Sequence, residues 1–580
     1  MWSGVMFNFM KAVMKRGDLI IRIAGEGGQG VVTAGELLMR AVARSGLHIL
    51  SDSTFSSEIR GGAVSFQLRT SPLPILSQGD RVDILVALSP RGYAANRTYL
   101  APGSVLVFDA EAIRPEGLEG VTLYAVPMTA ICQQFGNPLS KNMLVLGVVT
   151  QLLGIPADLI REQIRTRFSK RGASVVNDNL RAFESGISYA KEQLEKKDPY
   201  LLPSGNRTDD FLLLNGNEAI GLGALIAGCQ FYSFCPITPA TTLGDWFGTH
   251  LAKMGGTVIQ AEDAAESLAL AVGASCGGMK AMTGTSGPGL DSMQEFIGFS
   301  AMAEVPVVIV NVQRVGPSSV LPTRTEQSDL FSAIYGNHGD VPKIVLAASD
   351  VRDCLHLTID AFHLAERYRV PVILLSDSSL SRRSQMIPRP ALPAIRAAGR
   401  GMREGAGFSN VQLQTAREIP SSTGPAQEYG QKIITGLEHT GTGRPSDDSE
   451  VHREMTDRRF RKLKGLEEDR PPVEREGPVL GEVGIVSWGT TQAAVREAVQ
   501  RFRGVGRDVS ALYPKQLWPL PVKALKAFAA SVKKLVVVEA NKQGQFSHMI
   551  RAGTGLRCDS IKTYTGSPVS PWDIFGRENL

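Results

Sequence analysis

The stretch Phe234–Thr241, with the sequence FCPITPAT, decides the fold of this chain. Two prolines fix φ on either side of Thr238, so a hydroxyl group and the local backbone are held in a rigid loop. A segment rich in glycine and alanine precedes this loop (216–224), and the acidic sequence QAED follows it (260–263). A rigid loop, an acid at the end of a β-rich run and a glycine loop further on predict an α/β fold with a cofactor cleft.

Length and charge limit the class of protein. At 580 residues the chain is too long for one core, and about two to four domains are expected. The net charge is only +5 and is spread along the chain, which argues against a nucleic-acid partner. No apolar run approaches the ~18–20 residues that a membrane span needs. In residues 1–17 a short apolar patch precedes the basic residues, the reverse of a secretory signal, so we expect an N-terminal extension on a cytoplasmic protein.

Cysteine usage predicts a reduced protein without a metal site of its own. None of the six cysteines forms a C-x-x-C pair, and their spacing fits neither zinc nor iron–sulfur ligation. Thiols of this kind mostly pack as small hydrophobic groups. The cysteines are Cys132, Cys229, Cys235, Cys276, Cys354 and Cys558.

The first of three βα-rich blocks covers residues 18–195. A strand at Leu19–Ile23 enters a glycine loop, and apolar residues at helical spacing follow over Val31–Ser45. This strand, loop and helix predict a Rossmann-like domain, with further strands at Val82–Leu88 and Ser104–Phe108. The polar run at 196–210 is typical of a linker.

Two more α/β domains follow, at 211–388 and 480–580, and a polar interdomain segment at 389–479 separates them. The near-continuous apolar strands of the 211–388 domain predict a parallel sheet covered on both faces. The interdomain segment contains a predicted exposed helix, Glu450–Arg459. The predicted strands are Thr257–Gln260, Val305–Val312, Lys343–Ala347, Val370–Leu375, Val483–Ser487, Val509–Tyr513 and Lys534–Glu539, and the clearest helices are Asp263–Cys276 and Ala348–Arg367.

Five motifs give the chain a resemblance to a known family: GNEAIGLGAL (216–225), CPITPATT (235–242), QAED (260–263), TSGPGLDSMQE (285–295) and QRVGPSSVLPT (313–323). In this order they resemble the α subunit of 2-oxoacid:ferredoxin oxidoreductases, which oxidatively decarboxylate 2-oxoacids with thiamine diphosphate. GEGGQG at 25–30 resembles a loop of the family's γ subunit. The chain as a whole, from Leu19 to Ile574, therefore resembles a γ subunit fused ahead of an α subunit.

The resemblance implies three α/β domains: a Rossmann-like γ domain, a doubly wound thiamine diphosphate-binding domain of the pyrimidine type, and a C-terminal domain like that of transketolase. It implies an enzyme that is active only with a β subunit. That subunit would carry an iron–sulfur cluster and would hold the diphosphate with Mg²⁺, since the chain contains no GDG-plus-Asn motif. Coenzyme A would be the co-substrate, ferredoxin the electron acceptor, and an (αβ)₂ heterotetramer the assembly.

The choice of 2-oxoacid stays open at this point. 2-Oxoglutarate is favoured, and the alternatives are pyruvate, branched-chain 2-oxoacids and indolepyruvate, because part of the substrate pocket belongs to the partner. A second alternative is a non-catalytic subunit that completes a dimer interface, with Ala264 standing where relatives often have the last Glu of E-D-E.

Thr238 would be read, from its local sequence alone, as an ST-turn residue in a proline-rich loop. The resemblance implies instead that Thr238 contacts the carboxylate or carbonyl group of the substrate, and that Pro236 and Ile237 line the cofactor. The family usually has Tyr at the position of Cys235, so the shape of that wall is open.

Glu262 lies where a strand ends and a helix begins. An acid there can simply favour the positive end of the helix macrodipole. The resemblance implies that Glu262 is the glutamate that performs acid–base catalysis on the aminopyrimidine ring of thiamine diphosphate. Glu266, one helical turn further on, is the alternative for this role.

Two further groups of candidate residues follow the predicted strands. Thr285, Ser286 and Gly287 could form an ordinary strand-to-helix turn, and the resemblance implies a loop that faces the cofactor. Arg314 could be a surface arginine, whereas its guanidinium is also suited to bind a 2-oxoacid carboxylate. The resemblance implies that Arg314 and Thr323 both contact the substrate. His338 is a further candidate, with a structural histidine as the alternative.

The loop formed by Gly25, Glu26, Gly27, Gly28, Gln29 and Gly30 has a pattern typical of dinucleotide binding, and Asp52 lies near the ~20-residue offset of a ribose-binding acid. The resemblance implies a γ-subunit loop beside the path of coenzyme A, whose amides could meet a phosphate, or a purely structural loop. In the C-terminal domain, VEANKQGQ (538–545) resembles the family's E-x-N-x-x-G-Q segment, which implies an architectural and subunit-joining role.

Overall fold

A computed structural model describes residues 18–56, 61–134, 140–203, 205, 210–390, 434–441, 443–577 and 580. The predicted N-terminal extension, and residues 391–433 and 442 of the polar segment predicted at 389–479, lie outside the described residues. The chain divides into two compact units, one comprising the residues up to Leu213 together with Arg383–Arg389, and the other comprising Leu214–Arg382 and the residues from Pro390 onward.

The strands, numbered in chain order, are β1 Leu19–Glu26, β2 His48–Phe55, β3 Ala63–Ser71, β4 Ile84–Ala87, β5 Val105–Asp109, β6 Thr122–Val126, β7 Phe211–Asn215, β8 Phe231–Phe234, β9 Thr257–Gln260, β10 Ala281–Thr285, β11 Val307–Gln313, β12 Ile344–Ala347, β13 Pro371–Asp377, β14 Ser384–Pro388, β15 Glu474–Glu476, β16 Gly481–Ser487, β17 Val509–Tyr513, β18 Gln516–Trp518, β19 Val532–Glu539 and β20 Asp559–Lys562.

The helices are α1 Val31–Arg44, α2 Pro90–Asn96, α3 Met128–Gln134, α4 Lys141–Leu153, α5 Ala157–Phe168, α6 Ala173–Gln193, α7 Gly216–Ile226, α8 Thr241–His250, α9 Ala264–Cys276, α10 Gly287–Ser292, α11 Gln294–Met302, α12 Leu330–Tyr335, α13 Val351–Tyr368, α14 Ser378–Arg382, α15 Ser449–Arg461, α16 Leu466–Asp469, α17 Thr491–Gly504, α18 Val522–Ala529, α19 Gln545–Thr554 and α20 Trp572–Phe575. Short 3₁₀ turns occur at Arg97–Tyr99, Ser169–Arg171, Ala252–Met254 and Lys462–Gly465.

The first unit is built on an eight-stranded sheet with the order β6-β5-β4-β1-β3-β2-β14-β7. β4 to β6 run parallel to β1, as expected of a Rossmann-like domain, whereas β3 is antiparallel to both β1 and β2 and lies between them. Alternate β1 residues, Leu19, Ile21 and Ile23, are buried in the core beneath α1 and α4. β14, which lies at the end of the domain predicted at 211–388, pairs with β2 in this sheet.

The second unit contains a seven-stranded sheet with the order β18-β12-β13-β11-β10-β8-β9. Its strands from β12 to β9 are parallel, and every residue of β11 and β13 is buried, which confirms the prediction from their continuous apolar sequence. β9 is the edge strand and is partly exposed. The carboxyl ends of β8, β9, β10 and β11 therefore meet at one edge of the sheet.

A five-stranded sheet, β15-β17-β16-β19-β20, forms the C-terminal part of the second unit. Trp488 and Phe546, from the C-terminal part, share one hydrophobic core with Leu330 and with side chains of β11 and β13. The three sheets with flanking helices confirm the predicted α/β fold class. Among the described residues, no helix combines the length and the hydropathy required to cross a bilayer.

Candidate active site

Four of the predicted site segments follow parallel strands of one sheet. Thr238 follows β8, Glu262 follows β9, Ser286 follows β10 and Arg314 follows β11. Because open α/β sheets bind ligands at the carboxyl ends of their strands, these residues lie at the edge where a ligand is expected. His338 does not share this placement, since it lies in the loop that enters β12 at the amino end of that strand.

Glu262 carries an exposed carboxylate that makes no hydrogen bond to any described residue. Its neighbours are committed to the start of α9. The Asp263 side chain accepts from the Glu266 N–H at 2.7 Å, and the Glu266 carboxylate accepts from the Glu262 N–H at 2.8 Å. Asp263 and Glu266 therefore satisfy N–H groups at the helix terminus, as capping residues do. Glu262 is left as the acid whose side chain is available to a ligand.

The FCPITPAT loop is tied to the segment that carries Glu262. The Ala261 N–H donates to the Phe234 carbonyl at 2.9 Å, and the Cys235 Sγ lies 3.5 Å from the Glu262 carbonyl oxygen. Partial burial and the nearby charges of Asp263 and Glu262 raise the pKa of the Cys235 thiol, so it is held in the neutral form that can donate this bond. These contacts fix the relative positions of the loop and the acid.

Arg314 joins the same loop to the neighbouring strand. Its Nη1 donates to the Thr238 carbonyl at 2.6 Å and its Nη2 donates to the Ser319 Oγ at 2.8 Å. The buried Nε of Arg314 has no partner in the described chain. The Thr238 hydroxyl is exposed and likewise makes no hydrogen bond to a described residue. Arg314 and Thr238 thus present polar groups at this edge that a ligand can satisfy.

Thr323 lies on the loop that follows β11 and Arg314. The ends of this loop are joined by a hydrogen bond from the Val315 N–H to the Arg324 carbonyl, at 3.1 Å. The Thr323 carbonyl accepts from the Arg382 Nη2 at 3.0 Å and from the Ser378 Oγ at 3.3 Å. The backbone of Thr323 is therefore fixed against α14, while its side chain is partly exposed.

The glycine loop after β10 packs against an acid that sequence reasoning missed. Thr285 and Ser286 are buried, and the Ser286 Oγ has no partner in the described chain. A Cβ at Gly287 would lie 3.0 Å from the Asp329 carboxylate, a tight contact that would require the carboxylate to shift by a few tenths of an ångström. The Asp329 Oδ2 accepts from the Asn311 Nδ2 at 2.9 Å. Asn311 was detectable as a polar residue in the otherwise apolar strand VVIVNVQ, whereas Asp329 gave no local signal.

The glycine loop of the first unit precedes α1. The Gly27 N–H donates to the Gly62 carbonyl at 3.0 Å, and the Glu26 N–H donates to the Gln29 Oε1 at 2.9 Å. Gly28 and Gly30 have φ of +93° and +70°, which L side chains rarely adopt. Asp52 lies on β2, and its carboxylate accepts from the Gln78 Nε2 at 2.7 Å. Because β3 separates β2 from β1, the geometry does not support a ribose-binding acid.

Three family models match the chain in sequence order. They are described as pyruvate ferredoxin/flavodoxin oxidoreductase (residues 20–189), pyruvate flavodoxin/ferredoxin oxidoreductase, thiamine diphosphate-binding (222–457), and pyruvate:ferredoxin oxidoreductase core domain II (481–574). A 2-oxoglutarate synthase subunit KorA of Methanothermobacter marburgensis is 34% identical over 60% of this chain and 92% of that protein. The chain belongs to the 2-oxoacid:ferredoxin oxidoreductase family.

Two other members of this family match almost the whole chain. The subunit alpha of 2-oxoacid:ferredoxin oxidoreductase 2 from Aeropyrum pernix is 27% identical over 96% of this chain and 97% of that protein. The structure of 2-oxoglutarate:ferredoxin oxidoreductase from Magnetococcus marinus, with 2-oxoglutarate, coenzyme A and succinyl-CoA bound, is 41% identical with a TM-score of 0.94. It covers 97% of this chain and 99% of that chain. The 2-oxoacid:ferredoxin oxidoreductase fold therefore extends over all three sheets.

Within this oxidoreductase, the thiamine diphosphate-binding model spans the sheet edge that carries Glu262, Ser286 and Arg314. The side chains there fit the ring end of that cofactor, because a free carboxylate follows β9 and a buried hydroxyl group without a partner follows β10, at the same edge of the sheet. In the described residues, no cluster of three or more His, Cys, Asp or Glu side chains could hold a metal ion.

Proposed function

We propose that this chain is the γ-fused α subunit of an oxidoreductase that converts 2-oxoglutarate and coenzyme A to succinyl-CoA and CO₂ and reduces ferredoxin. It works with a β subunit that binds the diphosphate and Mg²⁺ and carries an iron–sulfur cluster, in a cytoplasmic (αβ)₂ heterotetramer. The family membership supports the reaction class. The bound 2-oxoglutarate and succinyl-CoA of the Magnetococcus marinus relative, at 41% identity, support the substrate.

The observation that carries this proposal is the free carboxylate of Glu262 beside a helix start whose other acids are engaged. When bound, thiamine diphosphate supplies the electron sink that lets the substrate lose CO₂. Glu262 exchanges a proton with the aminopyrimidine ring from its carboxylate, which is general acid–base catalysis. Pro236, Ile237, Thr285, Ser286 and Gly287 line the ring.

The position of Glu262 also supports a site shared between subunits. Glu262 directly follows β9, the exposed edge strand of its sheet, and its side chain is open to solvent in the isolated chain. A general acid–base residue gains from a water-excluded environment, which a second polypeptide over this edge would supply. The β subunit is proposed to cover Glu262.

The substrate carboxylate is proposed to bind at Arg314, Thr238 and Thr323. Arg314 has an unpartnered Nε–H, and the exposed Thr238 hydroxyl lies on the loop that Arg314 holds. Burial lowers the pKa of Arg314, with Asp329 acting in the opposite direction, yet an arginine stays charged throughout the physiological range. A carboxylate ligand would supply acceptors for these donors.

In the first unit, the loop of Gly25, Gly27, Gly28, Gln29 and Gly30 is proposed to contact a phosphate of coenzyme A. Gly27 and Gly28 are exposed, and the loop opens the 14-residue helix α1 without a side-chain cap. The N–H groups at such a helix start favour an anion. Binding of coenzyme A to Gly28→Val, measured by calorimetry on the assembled enzyme, should weaken if the loop makes this contact.

Glu262→Gln in the assembled enzyme tests the proposed catalytic role. We expect viologen reduction with 2-oxoglutarate to fall by ~10²-fold or more, because glutamine cannot exchange the proton. Glu266→Gln is the matched control. It removes the same charge four residues further along the chain, and the Glu266 carboxylate already accepts a backbone N–H. It should lower the melting temperature and leave most of the rate. A normal rate in Glu262→Gln would favour the non-catalytic alternative.

Two further measurements test the division of labour and the substrate. The purified chain without its partner should show no iron–sulfur absorbance and should not retain thiamine diphosphate tightly, and activity of the isolated chain would contradict the shared site. A panel of 2-oxoglutarate, pyruvate, branched-chain 2-oxoacids and indolepyruvate with the reconstituted complex decides the substrate. A higher kcat/KM for any of the other acids would overturn the choice of 2-oxoglutarate.

A further inference from the structure

The motif VEANKQGQ (538–545) binds a segment next to the proposed substrate site. Residues 325–331, called the connecting segment, lead from the loop that bears Thr323 into α12. The Asn541 Nδ2 donates to the Gln327 carbonyl at 3.1 Å, and the Gln545 Nε2 donates to the Ser328 carbonyl at 2.7 Å. The Phe331 N–H in turn donates to the Gln545 Oε1 at 3.1 Å. Two side chains of the motif thus hold the backbone of the connecting segment at three positions, Gln327, Ser328 and Phe331.

Gln327 completes this attachment. Its N–H donates to the Ala540 carbonyl at 2.7 Å, its Oε1 accepts from the Ala540 N–H at 2.9 Å, and its Nε2 donates to the Trp488 carbonyl at 2.7 Å. Trp488 follows β16 and Ala540 follows β19, so the connecting segment occupies the carboxyl ends of the C-terminal strands. In open α/β sheets this is the place where ligands usually bind. Here it receives a segment of the chain itself.

The orientation of the Asn541 amide is fixed by its other contacts. Its Oδ1 accepts from the Gly544 and Gln545 N–H groups at 2.7 and 3.1 Å, so the Nδ2 must be the donor to Gln327. The buried Glu539 carboxylate accepts from the same Nδ2 and from the Phe546 N–H at the start of α19. Asn541 is therefore a rigid donor, because each of its polar atoms is engaged with a buried partner.

The connecting segment is joined to the residues proposed to bind substrate. Residues 314–324, called the arm, include Arg314 and Thr323. The arm begins directly after β11 and ends at the connecting segment, so β11 fixes its first end and the connecting segment its second. Within the connecting segment the Asp329 N–H donates to the Gln313 Oε1 at 3.2 Å, directly before Arg314. A shift of the connecting segment therefore moves the far end of the arm and loosens the contact beside Arg314.

We propose that Asn541 and Gln545 are positioning residues for the 2-oxoacid. They hold the connecting segment, which holds the arm in the conformation that presents Arg314 and Thr323 to the substrate. The C-terminal sheet thereby contributes to substrate binding without touching the substrate. This inference rests on the proposed function for the substrate role of the arm, and it goes beyond it by assigning a role to the E-x-N-x-x-G-Q motif.

Asn541→Asp tests the proposal with a near-isosteric change. The carboxylate still accepts from the Gly544 and Gln545 N–H groups but cannot donate to the Gln327 carbonyl, and it lies beside Glu539. In the assembled enzyme we expect KM for 2-oxoglutarate to rise by about tenfold, equivalent to ~1.4 kcal/mol, with kcat changed by about twofold or less. Hydrogen exchange of residues 325–331 should accelerate by about tenfold or more. If Asn541→Asp folds poorly, Gln545→Glu replaces it as the test variant. It also removes one donor and keeps the acceptor, and KM should rise in the same way.

Val495→Ala is the matched control for lost stability. Val495 is fully buried in α17, in a hydrophobic cluster of the C-terminal sheet separate from the core that contains Trp488 and Phe546. It should lower the melting temperature without changing KM or exchange in the connecting segment. An unchanged KM in Asn541→Asp, or an equal rise in Val495→Ala, would overturn the proposal. If the wild-type complex converts no 2-oxoacid, the proposed function fails, and the exchange measurement alone still supports or overturns the positioning role.

Discussion

Replacing Asp329 by Asn should abolish a pH dependence of substrate binding. Burial raises the pKa of Asp329 to about 6; the hydrogen bond from Asn311 and the charge of Arg314 oppose this shift, and the charges of Asp291 and Glu326 add to it. Asp329 is therefore neutral well below pH 6 and negative well above it. At the proposed substrate site, its negative charge would compete with the substrate carboxylate for Arg314. KM for the 2-oxoacid should rise as the pH increases through about 6.

The size of this effect follows from Coulomb's law. If the Asp329 and substrate carboxylates are about 8 Å apart, with an effective dielectric constant of about 20–40, they repel by ~1–2 kcal/mol. This repulsion corresponds to a change in KM of about 5- to 30-fold. Asn keeps the shape, can still accept from the Asn311 Nδ2 and carries no charge at any pH. In Asp329→Asn, KM should therefore be low and constant from about pH 5 to pH 7.5.

The assay is viologen reduction by the assembled enzyme at saturating coenzyme A, with KM for 2-oxoglutarate measured at each pH. Asp291→Asn is the control, because it removes a neighbouring exposed acid that only adds to the pKa shift of Asp329. It should move the midpoint to lower pH and keep the transition. A wild-type KM that stays constant across pH 6, or an Asp329→Asn variant with the wild-type profile, would refute the role assigned to this carboxylate.

Two other predictions concern charges around the same sheet. Glu304 is buried with Arg458 and Lys462 at 2.9 and 2.8 Å; burial alone would raise its pKa, but the two cations hold that pKa well below its usual value. Glu304→Gln should lower the free energy of unfolding by ~3–5 kcal/mol in urea titrations, because two buried cations lose their counter-charge. A loss below about 1 kcal/mol would contradict this. Arg314→Lys should raise KM for the 2-oxoacid by about tenfold with a smaller change in melting temperature. Lys cannot both donate to the Thr238 carbonyl and bind a carboxylate through two N–H groups, as Arg can. An unchanged KM would exclude Arg314 from the substrate site.

The strands of the second unit could be predicted because they are buried on both faces. Nearly continuous apolar runs such as Val307–Gln313 are compatible with few structures other than a buried strand. The observed strands differ from the predicted ones by at most two residues at either end. The placement of Glu262 was equally predictable, since a strand end followed directly by a helix start is a local pattern. β3 was missed, although buried Phe66, Leu68 and Thr70 alternate with polar residues, because those polar residues interrupt the continuous apolar runs by which the other strands were recognised.

Asp329 and Asn541 were not predictable as site residues because their partners are distant in sequence. The Asn311 amide that binds Asp329 lies 18 residues away, and the Gln327 carbonyl that binds Asn541 lies 214 residues away. No periodicity or turn signal specifies such a pair. The family resemblance located the E-x-N-x-x-G-Q motif and implied an architectural role, whereas the hydrogen bonds show which segment the motif supports.

Three buried polar atoms without partners in the described residues lie at the candidate site of the second sheet. A buried donor or acceptor without a hydrogen bond costs about 1–3 kcal/mol, so native structures retain few of them. Ser286 Oγ, Asn311 Oδ1 and Arg314 Nε are three such atoms, and they follow or end the neighbouring strands β10 and β11. Ligands that supply an acceptor to Arg314 and a donor to Asn311 recover part of this cost on binding. Such contacts favour the bound state, and ligand binding should stabilise this sheet more than the C-terminal one.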